Sequence, residues 1–214
     1  MKNKKIIVVF IAIAAALVMA GCSNMIMDLT GGEGAGGEGA GGESYQLGDF
    51  AIGDTGPAGG LIFYIDEAEA FDWTFLEAAP NTWNGGTADP SIVWSDPSDT
   101  TGATGTEVGA GQANTTAIVT WLDDNDQEDR AAQVVDSLVF GGKEDWFLPS
   151  LDEVTKMYEN LASEDAGGFT SAGYWSSSEQ TANNARFQWF SSPFDATSIA
   201  KNNEFRRVRP IRAF

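Results

Sequence analysis

The chain has 214 residues, and 31 acidic residues against 12 basic ones give it a formal net charge of −19, with no histidine. The commonest general base and the commonest zinc ligand are therefore both missing, which excludes Ser–His catalysis. The acidic bulk would repel phosphates, so no nucleic acid is expected as a partner. The single cysteine allows neither an intrachain disulfide framework nor a thiolate metal cluster.

Residues 1–21 are predicted to be a lipoprotein signal peptide. Three lysines precede an apolar run over 6–19, and about 14 apolar residues are too few for a stable membrane span. Small residues directly before Cys22 resemble the lipobox of bacterial lipoproteins, although Met19 stands where leucine is usual. This resemblance implies that Cys22 becomes the lipidated N-terminus, and Ser23 fits the outer-membrane pattern. The alternative is ordinary signal cleavage that leaves Cys22 as a free thiol.

Residues 22–44 are predicted to form a flexible tether behind the lipidated Cys22. The segment 31–43 repeats Gly-Gly-Glu-Gly-Ala and has no apolar side chain larger than alanine. It cannot bury a core, so it is expected to stay a solvated coil. Removal of residues 1–21 deletes three lysines and changes the net charge from −19 to −22.

The remaining residues, 45–214, are predicted to form one domain with strands at both ends and helices in the middle. Apolar patterning predicts strands over 61–65, 73–77, 174–178, 185–190 and 205–211, and helices over the segments that begin near 114, 131 and 150. Asn114 is expected to cap the first helix, and Ser150 with Glu153 forms a capping box for the third. This order predicts an α+β domain whose first and last strands pair.

Large side chains supply the predicted core. Trp146, Leu148, Pro149 and Tyr174 are interpreted as core residues, because aromatic and large apolar side chains bury the most area. Side chains alternate along a strand, so one of Tyr174 and Trp175 is expected to point outward.

An acidic run over 123–129 joins the first two predicted helices. It is rich in oxygen ligands but lacks the glycine and the terminal glutamate spacing of an EF-hand loop. We interpret it as a solvated, helix-capping loop. A structural calcium ion stays open as the alternative, and no other cofactor is predicted.

The basic residues are unevenly placed. Segment 186–214 holds six of the nine basic residues that remain after signal removal, with two acidic ones. The favoured interpretation is ion pairing between this segment and the acidic remainder. The alternative is a locally positive ligand-binding face on an acidic body.

Six segments together resemble the domain family of the Legionella collagen-like (Lcl) adhesin C-terminus, long catalogued as a domain of unknown function. They keep the family's order and cover most of the domain, at 53–64, 73–79, 109–119, 145–153, 174–179 and 208–214. The resemblance implies a C-type-lectin-like fold of the formylglycine-generating-enzyme-like branch, with small antiparallel sheets flanked by helices. It also implies similarity to the variable ligand-binding lipoproteins of Treponema, whose C-terminal third presents the ligand face.

The resemblance implies a binding protein and not an enzyme. The related sulfatase-activating enzymes work through cysteines, whereas the only cysteine here, Cys22, is assigned to the lipid anchor. We therefore expect an adhesin-like or receptor-like protein at the outer membrane or cell surface, which binds a host or environmental glycan or protein. Its contact with the membrane is expected through the N-terminal lipid only. Diversification of the C-terminal segment by a retroelement is an open variant, and a structural or assembly lipoprotein of the envelope is the alternative.

The candidate ligand-binding residues lie between Trp175 and Arg207. Arg186 and Trp189 depart from the family pattern and put a planar cation and a large aromatic at neighbouring positions, both favoured at interface hot spots. Pairing of Arg186 and Arg206 with the acidic body is the alternative. No catalytic or metal-binding residue is predicted, and the complete ligand-binding set is Trp175, Ser177, Glu179, Arg186, Gln188, Trp189, Asn202, Asn203 and Arg206.

Overall fold

A computed structural model of the chain describes residues 44–97, 99–191 and 196–214. The predicted signal peptide, Cys22 and nearly all of the predicted tether lie outside these residues. The described residues form a mixed α+β structure, which confirms the predicted class. Their elements in chain order are β1 (Leu61–Ile65), β2 (Phe75–Ala78), α1 (Gly111–Asp124), α2 (Ala131–Asp136), α3 (Leu151–Asn160), a 3-10 turn (Ala162–Glu164), β3 (Gly173–Glu179), β4 (Asn184–Trp189), β5 (Thr197–Ala200) and β6 (Ile211–Ala213).

The first sheet is antiparallel, with the strand order β1-β2-β6. The last strand therefore pairs with the second strand, and the prediction that it pairs with the first was wrong. The carbonyl of Phe214 accepts hydrogen bonds from the backbone amides of Thr74 and Phe75 at 2.9 and 3.0 Å, which fixes the chain end to β2. The residue directly before β1 is glycine, Gly60, because a Cβ at this position would lie 2.1 Å from the carbonyl oxygen of Ala78.

The second sheet is also antiparallel, with the strand order β3-β4-β5. Every residue of β3 is buried, because this strand runs between two hydrophobic cores. Tyr174 packs into the core that contains Phe63 and Val154, whereas Trp175 packs into the core that contains Trp94. Both side chains are fully buried, so the expectation that one of them points outward was wrong.

The helices follow the predicted order, with one displaced start. Helix α1 begins at Gly111, and Asn114 lies inside it. The side-chain Nδ2 of Asn114 donates to the carbonyl of Gly105 at 2.7 Å. Asn114 is therefore not the predicted cap. Helix α3 carries the predicted capping box: the Ser150 amide donates to Glu153 Oε2 at 2.6 Å, and the Glu153 amide donates to Ser150 Oγ at 3.3 Å. No helix of the described residues has the length and apolar character needed to cross a bilayer.

The predicted core residues are confirmed. Trp146, Leu148 and Tyr174 are each at most 2% exposed, and Pro149 is buried beside them. The Leu148 amide donates to Thr115 of α1, and Tyr174 packs in the core that contains Val154 of α3, so these residues connect both helices to β3.

Candidate ligand-binding site

Four of the nine predicted ligand-binding residues are buried and bond within the protein. Trp175 Nε1 donates to the carbonyl of Ile92 at 2.9 Å, and Ser177 Oγ donates to the carbonyl of Pro149 at 3.2 Å. Gln188 is 3% exposed, and its Oε1 accepts a hydrogen bond from Thr155 at 3.3 Å. These side chains position β3 and β4 but do not reach the surface.

Glu179, the fourth buried residue, is the counter-ion of Lys201. The two side chains form an ion pair and are 1% and 0% exposed. The carboxylate also accepts hydrogen bonds from the backbone amides of Thr101 and Gly102 at 3.0 and 3.3 Å. The pair therefore fixes the end of β5 to β3.

Two other cations of the C-terminal segment are also paired with carboxylates. Arg209 binds Asp89, with Nε and Nη2 at 2.6 and 2.7 Å from the two carboxylate oxygens. Arg212 reaches Asp145 at 2.8 Å and Glu77 at 3.4 Å. The favoured interpretation of the charge asymmetry, ion pairing with the acidic remainder, is confirmed for these residues.

The structure separates Arg186 from Trp189. Both lie on β4, which pairs regularly with β5 over positions 184–187 and with β3 over positions 187–189, so side chains three residues apart point to opposite faces. Trp189 lies on the face of Phe187 and the core that contains Trp94. Arg186 lies on the opposite face, so the predicted cation–aromatic neighbourhood of Arg186 and Trp189 was wrong.

Arg206 is the cation that neighbours Trp189. Its Cζ lies 4.2 Å from the ring centre of Phe187 and 4.8 Å from that of Trp189. Gly173 makes room for this stack, because a Cβ there would lie 2.7 Å from Arg206 Cδ and 2.8 Å from Phe187 Cδ2. Cation–π contacts of this kind stabilise a guanidinium without neutralising its charge.

Arg206 has no carboxylate partner among the described residues. The residue is 9% exposed, and its Nε is buried without a hydrogen bond. The terminal Nη atoms also have no partner in the described part of the chain, and they keep contact with solvent. Burial lowers the pKa of the Arg206 guanidinium. Arg186 likewise has a buried Nε without a hydrogen bond.

The loop before Arg206 is polar and carries one exposed aromatic side chain. Asn202 is exposed and Asn203 is half-buried, with its side-chain oxygen accepting a hydrogen bond from the Phe205 amide at 3.0 Å. Phe205 is 74% exposed. Sequence reasoning missed Phe187 as a neighbour of Arg206, because their contact joins separate segments of the chain.

The acidic run over 123–129 makes capping bonds. Asn125 Nδ2 donates to the carbonyl of Trp121 at 2.7 Å, and Gln133 Nε2 donates to Asp123 Oδ1 at 2.8 Å. In the described ranges, no group of three or more His, Cys, Asp or Glu side chains is arranged to hold a metal ion. Calcium binding therefore stays an open alternative, and the described residues contain no group of three or more Asp or Glu side chains that could hold the ion.

The sequence matches no model of a known protein family, and no curated protein is detectably similar to it. The resemblance to the Lcl C-terminal domain family therefore stays a prediction.

Proposed function

We propose that the protein is a lipid-anchored, non-enzymatic ligand-binding protein of the bacterial outer membrane or cell surface. Its ligand binds at the Arg206 site, which we define as Phe187, Trp189 and Arg206. The observation that carries this proposal is the guanidinium of Arg206, a residue 9% exposed, which lies over two aromatic rings and has a buried Nε without a hydrogen bond.

A buried cation without a hydrogen-bond partner destabilises the folded protein, and a ligand that supplies an acceptor would reduce this destabilisation. A buried polar group without a hydrogen bond costs about 1–3 kcal/mol, and more if it is charged. Lys201, Arg209 and Arg212 avoid this cost through carboxylates of the protein itself. Arg206 has no such partner in the described residues, so an acceptor that arrives with a ligand would supply the missing bonds. A buried polar group left unsatisfied beside two aromatic rings favours a binding role.

The finer fold that we propose is C-type-lectin-like. It is supported by two small antiparallel sheets flanked by helices, and by a chain end that bonds to β2. The Tyr45 ring at the start of the domain packs 5.0 Å from the Phe214 ring at the end of the chain, next to the first sheet. The Arg206 site lies on the second sheet.

The state of the buried carboxylates supports binding over catalysis. Asp89, Glu77 and Glu179 are at most 4% exposed and are held by arginine, lysine or backbone amides. A general acid or base must reach a reacting group in a pocket. These three carboxylates are committed to structural contacts, which supports the proposed binding role.

The proposal is tested by probing arrays of glycans and of extracellular proteins with the purified full chain and with Arg206→Gln. We expect at least one ligand whose binding falls tenfold or more in this variant. Arg130→Gln is the matched control, because Arg130 pairs with the exposed Asp96 at 3.0 Å and hydrogen-bonds to Gln127 and Glu128, none of which belongs to the Arg206 site. Equal binding by wild type and Arg206→Gln would reject the site.

Protease treatment of intact cells tests the location. Digestion of the domain from the outside supports a surface receptor. Protection from the protease would place the domain in the periplasm and favour the assembly role.

A further inference from the structure

We infer that a pocket beside the first sheet binds a small, neutral aromatic molecule that carries one hydrogen-bond donor. The residues that line this pocket do not belong to the Arg206 site, so the inference goes beyond the proposed function. It rests on three properties of the pocket: its volume, the compensation of its charge, and a side-chain oxygen on its lining that accepts no bond from the described residues.

The pocket is lined by the end of β2 and by the chain that follows α3. Its volume is about 260 Å³, and Leu61, Pro80 and Leu161 supply apolar side chains to its lining. Gly59 leaves open space at the same place, because its φ of +85° favours glycine and a Cβ there would meet no atom within 4 Å. An apolar cavity of about 150 Å³ is large enough for benzene. The larger volume here therefore suits a bicyclic ring.

The charge in the pocket is compensated by the protein itself. Among the described residues that line it, Arg209 is the only charged one, and it is 1% exposed. Its guanidinium binds both carboxylate oxygens of Asp89 at 2.6 and 2.7 Å and donates to the carbonyls of Ala79 and Gly167 at 2.9 and 3.0 Å. A charged ligand would lose its hydration here without gaining a free counter-charge, so the pocket favours a neutral ligand.

Asn81 supplies an acceptor for a donor on the ligand. It is half-buried on the pocket lining, and its Nδ2 donates to the carbonyls of Thr87 and Gly168 at 3.4 and 3.5 Å. Since both neighbours are acceptors, they fix which end of the amide is the nitrogen. The Oδ1 atom accepts no hydrogen bond within the described part of the chain. One N–H or O–H group on an otherwise apolar ring would satisfy this oxygen and orient the ring.

NMR titration of the isotope-labelled full chain tests the inference on three probes. Indole is a neutral bicyclic ring with one N–H donor, benzofuran has the same shape without the donor, and indole-3-carboxylate adds a negative charge. We expect indole to bind at least about threefold more tightly than benzofuran, which is the contribution of one neutral hydrogen bond. Indole-3-carboxylate should bind at least about tenfold more weakly than indole, because its charge has no partner in the pocket.

The same titration locates the site. Indole should shift the backbone amide signals of Gly59, Ala79 and Gly167, which line the pocket, and leave the signal of the exposed Asp126 unchanged. Signal changes confined to other parts of the chain would overturn the inference, as would the absence of any change.

Two variants separate the acceptor from the apolar lining. Asn81→Leu removes the acceptor at similar size, so it should abolish the preference for indole over benzofuran while both still bind. Leu61→Ala removes apolar contacts, so it should weaken both ligands and keep the preference. Leu47→Ala is the matched control, because Leu47 is 46% exposed and does not line the pocket.

Three further results would overturn the inference. They are equal binding of indole and benzofuran by the wild type, a preference for indole that survives in Asn81→Leu, and binding of indole-3-carboxylate as tight as that of indole. An array ligand whose binding depends on Arg206, found for a protein that does not bind indole, would leave the proposed function standing while this inference fails.

Discussion

At the scale of single residues, Glu153 is a hydrogen-bond acceptor that joins two segments of the chain. It is also a buried carboxyl group, and burial disfavours its charged form. Its carboxylate caps α3 through the Ser150 amide and accepts the Gly109 amide at 2.8 Å, so it joins the loop before α1 to the start of α3. The side chain is fully buried, and Gly111 has no side chain because a Cβ there would lie 2.2 Å from Glu153 Oε2. Burial raises the pKa of Glu153 to about 7, although the backbone amides act in the opposite direction.

This raised pKa predicts that Glu153 stabilises the fold in its protonated form. Between about pH 4.5 and pH 7, the folded protein holds a proton that the unfolded chain releases, so the contribution of Glu153 is largest at pH 4.5 and falls as the pH rises. Over this window the free energy of unfolding should fall by up to about 3 kcal/mol relative to Glu153→Gln, which cannot titrate. Urea unfolding of both proteins from pH 4 to pH 8 measures the difference. A difference that is constant with pH would contradict it.

The same scale shows why the sequence predicted only part of the candidate site. Residue type and position pointed to Arg206 and Trp189, which the structure brings into contact, and to Asn202 and Asn203, which follow β5 at the Asn184 end of β4. The sequence could not show that Arg186 and Trp189 lie on opposite faces of β4, because that depends on a strand boundary and register. It also could not show that Glu179 is committed to Lys201, since this contact joins separate elements.

At the scale of elements, the Lys201–Glu179 pair attaches β5 to the rest of the second sheet. β5 is an edge strand of four residues with one exposed and three half-buried positions, so little apolar burial holds it. The ion pair directly after it is fully buried, and the Lys201 ammonium also lies 4.9 Å from the Trp94 ring centre. The attachment of β5 therefore depends on a polar contact in the core, which also fixes the start of the loop that carries Asn202 and Asn203.

Lys201→Met should destabilise the protein by about 3–5 kcal/mol, because it leaves the Glu179 charge buried without its cation. The exposed pair of Lys156 and Glu159 offers the matched control, and Lys156→Met should change stability by less than about 1 kcal/mol. Urea unfolding measures both values. The double variant Lys201→Met with Glu179→Gln should recover part of the loss. If the single and double variants are equally unstable, packing of the lysine stem and not the charge is responsible.

Element prediction from the sequence worked where one pattern dominated. β1 is a continuous run of aromatic and aliphatic residues, β3 and β4 each contain two aromatic residues, and the α3 capping box marks its helix directly. β5 was missed because Thr197–Ala200 has a single large apolar residue, and its position is set by pairing with β4. The strand predicted over 205–211 begins only at Ile211, as β6. Arg206 and Arg209, which lie before it, are buried through contact with an aromatic ring and through an ion pair, and they are not part of a strand.

At the scale of the whole molecule, the excess of negative charge opposes compactness. With −22 formal charges after loss of residues 1–21, like charges lie closer together in the folded domain than in the expanded unfolded chain. Two buried ion pairs, Arg209–Asp89 and Lys201–Glu179, are shielded from salt by the protein around them. The exposed pair of Arg130 and Asp96 is open to screening but contributes little.

Added salt should therefore stabilise the protein. Raising NaCl from about 10 to about 200 mM shortens the screening length from about 30 Å to below about 8 Å, which weakens long-range repulsion and leaves the buried pairs nearly unchanged. We expect the free energy of unfolding in urea to rise by about 1 kcal/mol at pH 7. At pH 4, where a large share of the exposed carboxylates is protonated, the increase should be smaller. A decrease with salt at pH 7 would mean that exposed ion pairs outweigh repulsion, and the acidic body would then be a weaker barrier to polyanionic ligands than the charge count indicates.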